Sequence, residues 1–306
     1  MYFPYVIGKK HELRAIKEIS RLAIENGNFI PIIEPNEDTL EFRRWLKDYK
    51  EQPYPFVLVT NPRFGTWGSA PNGLYEKVKQ SDLESCEEFF PGFIVNSSTT
   101  ISSIKAFFQT YSSRRVCLIH RSPMSNPEEL LEACSTVNVL YHAFIHSRTE
   151  ETYRQVFSIY NRILVRDGFE NADRNADYPE ESNFSMLPFT YRDSGYLGFG
   201  DFLIVGDRLP SGGGRARCVA LHLTYKIGKN IRTRHFLSDS NQTTADQGGK
   251  YGEAHGKLIA FLDENPEIDT IGTRRYRDAV TNPGLGFAKE FSMMHHLELM
   301  WTLVDA

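Results

Sequence analysis

MYFPYVIGKKHELRAIKEISRLAIENGNFIPIIEP, Met1 to Pro35, reads as a strand, a helix and a second strand. YFPYVIG (2 to 8) and FIPIIEP (29 to 35) are apolar runs of strand length. Between them Leu13, Ile16, Ile19, Leu22 and Ala23 recur at helical spacing, and Asn26-Gly27 is a helix stop signal. A strand, a crossover helix and a further strand make a βαβ unit.

The unit repeats. Apolar runs follow at FVLVTNP (56 to 62), FIVNSS (93 to 98), RVCLIHRS (115 to 122), VLYHAFIHS (139 to 147) and RILVRDG (162 to 168), so strands start roughly every 25 residues. TLEFRRWLKDYK and SSIKAFFQTYSS read as helices between them. Asn126-Pro127-Glu128-Glu129 opens another, with proline in the first turn and acids at the positive end of the dipole, and TEETYRQVFSIYN starts the same way from Thr149. Such a series points to an α/β barrel or a doubly wound sheet. Neither GxGxxG nor GxxxxGK[ST] follows the early strands, and GFGD (Gly198 to Asp201) precedes a strand instead of opening a helix. The expected fold is therefore a TIM-barrel-like α/β domain.

After Gly168 the chain changes character. Up to about Ser240 it is richer in Gly, Asp, Arg and Tyr and carries the β-type runs GFGDFLIVGD, RARCVALHLTY and IRTRHFLSD. LPSGGGR separates the first two, and Ser211 to Arg215 is expected to be a mobile hairpin connection. A helix is expected at roughly 250 to 264. A last amphipathic one, at 286 to 304, holds Phe287, Phe291, Met294, Leu297, Trp301 and Val304. The reading is one domain over 1–306: regular βα units over 1–170, a β-rich loop and hairpin region over 171–245, and closing helices over 246–306.

Composition sets limits. With 306 residues, 41% hydrophobic and 24% charged, the chain can bury a core without metal or disulfide staples. A net charge of -4 argues against a generally basic nucleic-acid coat but leaves room for a local basic patch. Met1 to Lys10 lacks the pattern of a secretory signal and no apolar run is long enough to cross a bilayer, so a cytoplasmic location without membrane partners is expected. Cys86, Cys117, Cys134 and Cys218 are scattered with no CxxC pair and read as reduced thiols without chemistry.

In a parallel barrel the active face lies at the strand C-terminal ends. Lys9 and Lys10 stand there after the first strand, Glu34 after the second, and Asn61 and Arg63 after the third. Asn96, His120 with Arg121, His146, and Arg166 with Asp167 follow in turn. Helix capping and rim ion pairs account for any one of them. Together the cations would make a positive funnel suited to an anion such as a phosphate. Lys10, Arg63, Arg121, Arg166 and Arg174 are the expected ligand-binding residues. Glu34, His120, His146 and Asp201 are the catalytic candidates, and Lys10, Glu34, Arg166 and Asp201 are expected around one polar pocket. Glu34, His120, His146, Asp167 and Asp201 lack any tight spacing such as HExxH, so no metal is assigned. His142 and His146, four apart on one strand face, each read equally as a satisfied core histidine, and His295-His296 as surface or packing.

In RNADYP, Asp173, Asn175 and Asp177 alternate along a loop ending at Pro179, as turn-ordering side chains do, without the glycine and glutamate of a calcium loop. Arg174 would then be an exposed reader pointing across the barrel mouth.

The start MYFPYVIGKKHELRAIKEI followed by FIPIIEP resembles the opening of the bacterial sce7725-like family and, more distantly, the phage-type beta protein family. RDGFENADRNADYPEESNF, GFGDFLIVGD, VALHLTY and HFLSDSN resemble the later blocks of the same family, so the likeness spans most of the chain. It implies a barrel-like α/β fold, a phage-conflict or mobile-element setting, and a small partner protein encoded alongside. The family's lysine matches Lys10, its strand-two glutamate Glu34, its RNADY block Arg174, Asn175, Asp177 and Tyr178, and its GDF block Gly200 and Asp201. No reaction and no cofactor come with it.

Two functional classes are consistent with these residues. One is a binding component of an anti-phage system that recognises an anion, a nucleic acid, a nucleotide or the co-encoded partner at the barrel mouth. The other is a phosphodiesterase or nucleotide hydrolase, with Glu34 or Asp201 as base or metal ligand, His120 or His146 as proton carrier, and Lys10 and Arg166 as charge stabilisers. The absence of a recognisable catalytic constellation favours the first.

Overall fold

Alternation along the strands sorts the apolar residues into two cores. The computed structural model describes residues 1–24, 27–69, 71–208 and 217–304. Tyr5–Val6 (β1), Ile32–Ile33 (β2), Phe56–Val59 (β3), Phe89–Val95 (β4), Val116–His120 (β5), Val139–Ile145 (β6) and Arg162–Arg166 (β7) lie side by side in chain order, all parallel. Glu181–Ser185 (β8) leaves this sheet, and Gly198–Asp201 (β9) returns to pair in parallel with β7. Single bridges from Tyr2 to Phe29 and to Phe199 span the remaining gap. The result is a nearly closed, eight-stranded, TIM-barrel-like sheet.

Phe3, Tyr5, Ile32, Val57, Val59, Ile94, Ile119, Ala143, Ile163 and Val165 fill the barrel, with Phe202 above them. The alternate set, among them Val6, Ile33, Leu58, Val95, Leu118, Phe144, Leu164 and Phe199, packs under the surrounding helices. Closure depends on the glycines of GFGD: a Cβ on Gly200 would lie 2.1 Å from the Phe3 carbonyl oxygen, and one on Gly198 2.7 Å from that of Met1. Only a residue without a side chain lets β9 approach the N-terminal segment so closely.

Helices Lys10–Ala23, Leu40–Glu51, Ile101–Thr110 and Pro127–Cys134 fall where the periodicity places them. Gly27 has φ +61, the left-handed conformation expected of a stop signal, while Asn26 lies outside the described residues. The helix from Thr149 is shorter than its pattern: Glu151–Gln155 is followed by turns in which Phe157 and Tyr160 pack on His142.

The second half holds a separate three-stranded antiparallel sheet. Ala220–Ile227 (β10) and Asn230–Leu237 (β11) form a hairpin turning at Gly228, whose φ is +57, and β8 pairs with the far side of β11. Leu221 and Leu223 on one face pack against Tyr251 and Leu258 of helix Gln247–Glu264 and against Tyr276 of helix Ile271–Asp278. The last helix, Leu285–Thr302, ties this layer to the barrel. His296 is fully buried there, with Nε2 3.1 Å from Asp201 Oδ1 and Nδ1 2.9 Å from Thr224 Oγ1, while His295 Nδ1 lies 2.9 Å from Thr270 Oγ1. Both histidines are packing residues.

Two sequence readings change. GFGDFLIVGD is not one β run: the strand ends at Asp201, whose Oδ1 accepts the Leu203 N–H at 2.9 Å, and Leu203 turns at φ +52. EESNF, assigned to no strand from the sequence, enters β8. The expected connection Ser211 to Arg215 lies outside the described residues. Among the described residues no helix is long and apolar enough to cross a membrane.

Candidate functional site

The barrel mouth is closed by an ion network. Glu34 points inward, in phase with Ile32, and is almost fully enclosed. The Tyr5 hydroxyl donates to its Oε2 at 2.7 Å. Arg63 donates its backbone N–H to Oε1 at 2.6 Å, and its Nε and Nη2 reach the same carboxylate at 3.0 and 2.8 Å. Arg63 also meets Asp207 at 3.2 Å. Asp207 pairs with Arg121 as well, and with Arg148 at 3.5 Å. Gly206, at φ +79, turns the chain so that Asp207 folds back over the mouth, and the Asp207 N–H donates to Asp167 at 2.9 Å. Burial, with the nearby Asp207 and Asp201 charges, raises the Asp167 carboxyl above its ordinary value against the pull of these backbone donors. The expected positive funnel is thus largely neutralised: Arg63 and Arg121 are committed to carboxylates.

The other expected site residues do not gather there. Lys10 stands exposed at the first position of helix Lys10–Ala23, facing a shallow groove shared with Lys9, Asn36 and Glu37. Arg166 and Asp201 are register partners at the ends of β7 and β9, but both alternate away from the interior. Asp201 is buried beneath the last helix, accepting from the Tyr2 hydroxyl at 3.0 Å beside His296. His120 also faces outward and is fully buried, its Nδ1 2.8 Å from the Tyr153 hydroxyl and its Nε2 2.9 Å from His142 Nδ1. His146 is exposed in the turn after β6, and burial together with the Arg154 and Arg166 charges lowers its imidazole from the ordinary value. Arg174 is exposed, yet Asp177 of its own turn holds it through two hydrogen bonds of 2.8 Å. Lys10, Glu34, Arg166 and Asp201 therefore do not share one pocket, because strand alternation sends Glu34 inward and the other two strand-end residues outward. Among the described residues no three His, Cys, Asp or Glu side chains are grouped to hold a metal ion.

A different site lies beside the mouth. A cleft of about 230 Å³ opens between the loops that follow β7 and β9, strand β10 and the last helix. Phe169 and Tyr178 line it from the first loop, Arg208 from the second, His222 from β10 and Lys289 from the helix. Arg208 and Lys289 are exposed, no carboxylate is among the lining residues, and among the described residues neither cation has an ion-pair partner. Partial burial, reinforced by the charges of Lys9 and Arg208, lowers the Lys289 ammonium from its ordinary value against the pull of Glu12. The larger groove between the first, second and last helices, about 430 Å³, differs in kind: Arg14, Lys17, Arg44 and Arg275 face Glu18, Glu41, Asp48 and Glu290 there.

His222 lines the cleft, and a second imidazole backs it. His222 and His235 are direct cross-strand partners of the β10–β11 hairpin, with their Nδ1 atoms 2.8 Å apart. His235 Nε2 lies 2.9 Å from the buried Ser182 Oγ on β8. Tyr178 stacks on His235 with ring centroids 4.8 Å apart, and the Phe169 ring meets His222 edge-on at 5.1 Å. Asn175 pins the RNADY loop by donating to the Cys218 carbonyl at 2.8 Å. That loop thus contributes Tyr178 and Asn175 to the cleft wall, and Arg174 is not among the lining residues. Arg208, His222, His235 and Lys289 were not singled out from the sequence. One signal was present: a turn at Gly228 in IGKN places His222 of ALHLTY opposite His235 of RTRHFL.

No family model matches this chain, and no curated protein or solved structure matches it. Its class is set by the geometry: a parallel α/β barrel with an added antiparallel sheet and a cation-lined cleft between the two.

Proposed function

We propose that this chain is a binding protein for a small anion, held in the cleft between the barrel rim and the antiparallel sheet. The observation that carries this is the pairing state of the cations: those over the barrel mouth are matched by Glu34 and Asp207, while Arg208 and Lys289 line one cleft without a carboxylate. Two cations with no ion-pair partner among the described residues, beside a hydrogen-bonding imidazole, suit a phosphate or another oxyanion. The likeness of the Met1–Ile19, Phe29–Pro35 and RNADY stretches to the sce7725-like family supports placing this binding in an anti-phage setting with a co-encoded partner, which copurification would test.

Calorimetric titration with inorganic phosphate at low salt tests the cleft. Lys289→Ala and Arg208→Ala are each expected to weaken binding about tenfold, or about 1.4 kcal/mol. Lys10→Ala should leave it unchanged. Equal affinity in all three variants would overturn the assignment. A hydrolase reading built on Glu34, His120, His146 and Asp201 has less support, since these four are separated by enclosure, by the strand wall and by exposure on another loop.

A further inference from the structure

We infer that the cleft takes a tetrahedral dianion, a phosphomonoester or its inorganic counterpart, and that His222 gains a proton as the ion enters. This rests on the reading of the cleft as an anion site. Three donors would come from three separate elements: Arg208 from the loop after β9, Lys289 from the last helix and His222 from β10. Such a set matches an ion that offers several equivalent oxygens in different directions.

His222 is arranged for the exchange. Its Nδ1 is occupied by His235, while among the described residues Nε2 has no partner and the side chain lines the cleft. Behind it, His235 Nε2 meets the Ser182 hydroxyl, which can donate or accept. The chain of three can therefore run in either direction, leaving His222 Nε2 as a lone pair or as an N–H. A proton gained at Nε2 is shared across the Nδ1···Nδ1 contact, so two adjacent imidazoles carry one charge between them.

The surroundings set the sign. Burial first and then His235 and Lys289 hold His222 well below the ordinary histidine value, and burial pushes His235 down to about 4. Among the described residues the titratable and charged groups around His222 are His235 on β11, Tyr178 in the loop before β8, Arg208 after β9, Tyr276 on helix Ile271–Asp278 and Lys289 on the last helix. A dianion against Arg208 and Lys289 reverses that local field and favours the imidazolium, which then donates to a ligand oxygen. The balance is simple: one proton passes from the buffer acid to Nε2, no bond to phosphorus forms or breaks, and the proton returns when the ion leaves.

Sulfate is the probe, because it exchanges no proton near neutrality and any uptake then belongs to the protein. The full chain is titrated with sodium sulfate by calorimetry at about pH 7.5 in two buffers of unlike ionisation enthalpy. Net proton uptake on binding is expected, with affinity falling toward higher pH by up to tenfold per unit. His222→Asn should abolish the uptake and flatten the pH profile. His235 is a positioning residue: His235→Leu should reduce the uptake, and His235→Asn, which restores a polar partner for Nδ1, should recover part of it. Binding without proton uptake, or uptake that survives in His222→Asn, overturns this inference and leaves the anion site standing. Failure of sulfate and phosphate to bind at all overturns both. The wild-type measurement decides even where a variant does not fold.

Discussion

Arg63 holds Glu34 from two directions, its backbone N–H 2.6 Å from Oε1 and its guanidinium Nη2 2.8 Å from Oε2. Glu34 is 1% exposed, so this pair fastens the end of β2 to the loop after β3 in a water-poor setting. Glu34→Gln keeps the shape and an accepting oxygen but removes the charge, leaving Asp207 as the carboxylate that Arg63 meets. A loss of about 3 kcal/mol is expected, read as a lower urea midpoint at constant slope. Adding Arg63→Met should restore more than half of it, since the uncompensated cation is then removed as well. A midpoint unmoved by Glu34→Gln would show that the pair contributes nothing net.

Stability should fall in mild acid because of the histidines beneath the helices. Burial lowers His142 to about 3, and burial with the neighbouring His142 lowers His120 well below its ordinary value. Both are neutral in the folded chain, whereas the unfolded chain protonates near 6.5. Their contribution is therefore complete above pH 6.5 and is lost progressively as pH falls toward the folded values. For His142 alone the loss between about pH 7.5 and pH 5 is about 2 kcal/mol. Urea unfolding at the two pH values checks this, and His142→Phe should lose that much less on acidification. Equal acid sensitivity of the variant and the parent would contradict it.

The barrel was legible because it is local and repeated. Each βα unit carries its own apolar period and stop signals, and the helices at Lys10–Ala23, Leu40–Glu51 and Leu285–Thr302 follow them closely. The direction of the strand-end residues was not legible. A parallel barrel strand is apolar on both faces, so in RVCLIHRS nothing local says that Cys117, Ile119 and Arg121 look inward while Leu118 and His120 look outward. Glu34 happens to fall on the inward phase and Asp201 on the outward one. The cleft was hidden for another reason. Phe169, Tyr178, Arg208, His222 and Lys289 come from four distant segments, and tertiary packing alone assembles them.

Barrel closure gives a sharp structural test at Gly200. A methyl group there would sit 2.1 Å from the Phe3 carbonyl oxygen, a backbone atom that cannot swing aside as a side-chain tip can. Gly200→Ala should cost about 3 kcal/mol or more, and the variant is expected to unfold at lower urea or to accumulate insoluble. Gly252→Ala is the control: it lies in helix Gln247–Glu264 with nothing within 4 Å of the added Cβ, so a gain of up to about 1 kcal/mol is expected from helix propensity. Equal stability of the two variants would show that β9 does not need its glycines to close the sheet.

Asp207 decides whether the barrel mouth itself can hold an anion. It is the shared partner of Arg63, Arg121 and Arg148, and among the described residues the buried Arg121 Nη1 atom has no hydrogen-bond partner. Replacing this carboxylate by a neutral group removes the acid shared by all three cations and leaves Glu34, with Asp167 behind it, to offset them, which shifts the local balance of charge toward positive. Asp207→Asn is therefore expected to lose about 2 to 3 kcal/mol of stability and to acquire an affinity for phosphate that Lys289→Ala does not remove. Added phosphate should restore part of the lost stability, because an ion bound only by the folded state shifts the unfolding midpoint upward. Thermal unfolding of Asp207→Asn and of Asp207→Asn with Lys289→Ala, each with and without phosphate, provides the check. A phosphate-dependent rise in both variants supports neutralisation of the mouth by Asp207, and its absence from the double variant would show that the three arginines are not an anion site even when released.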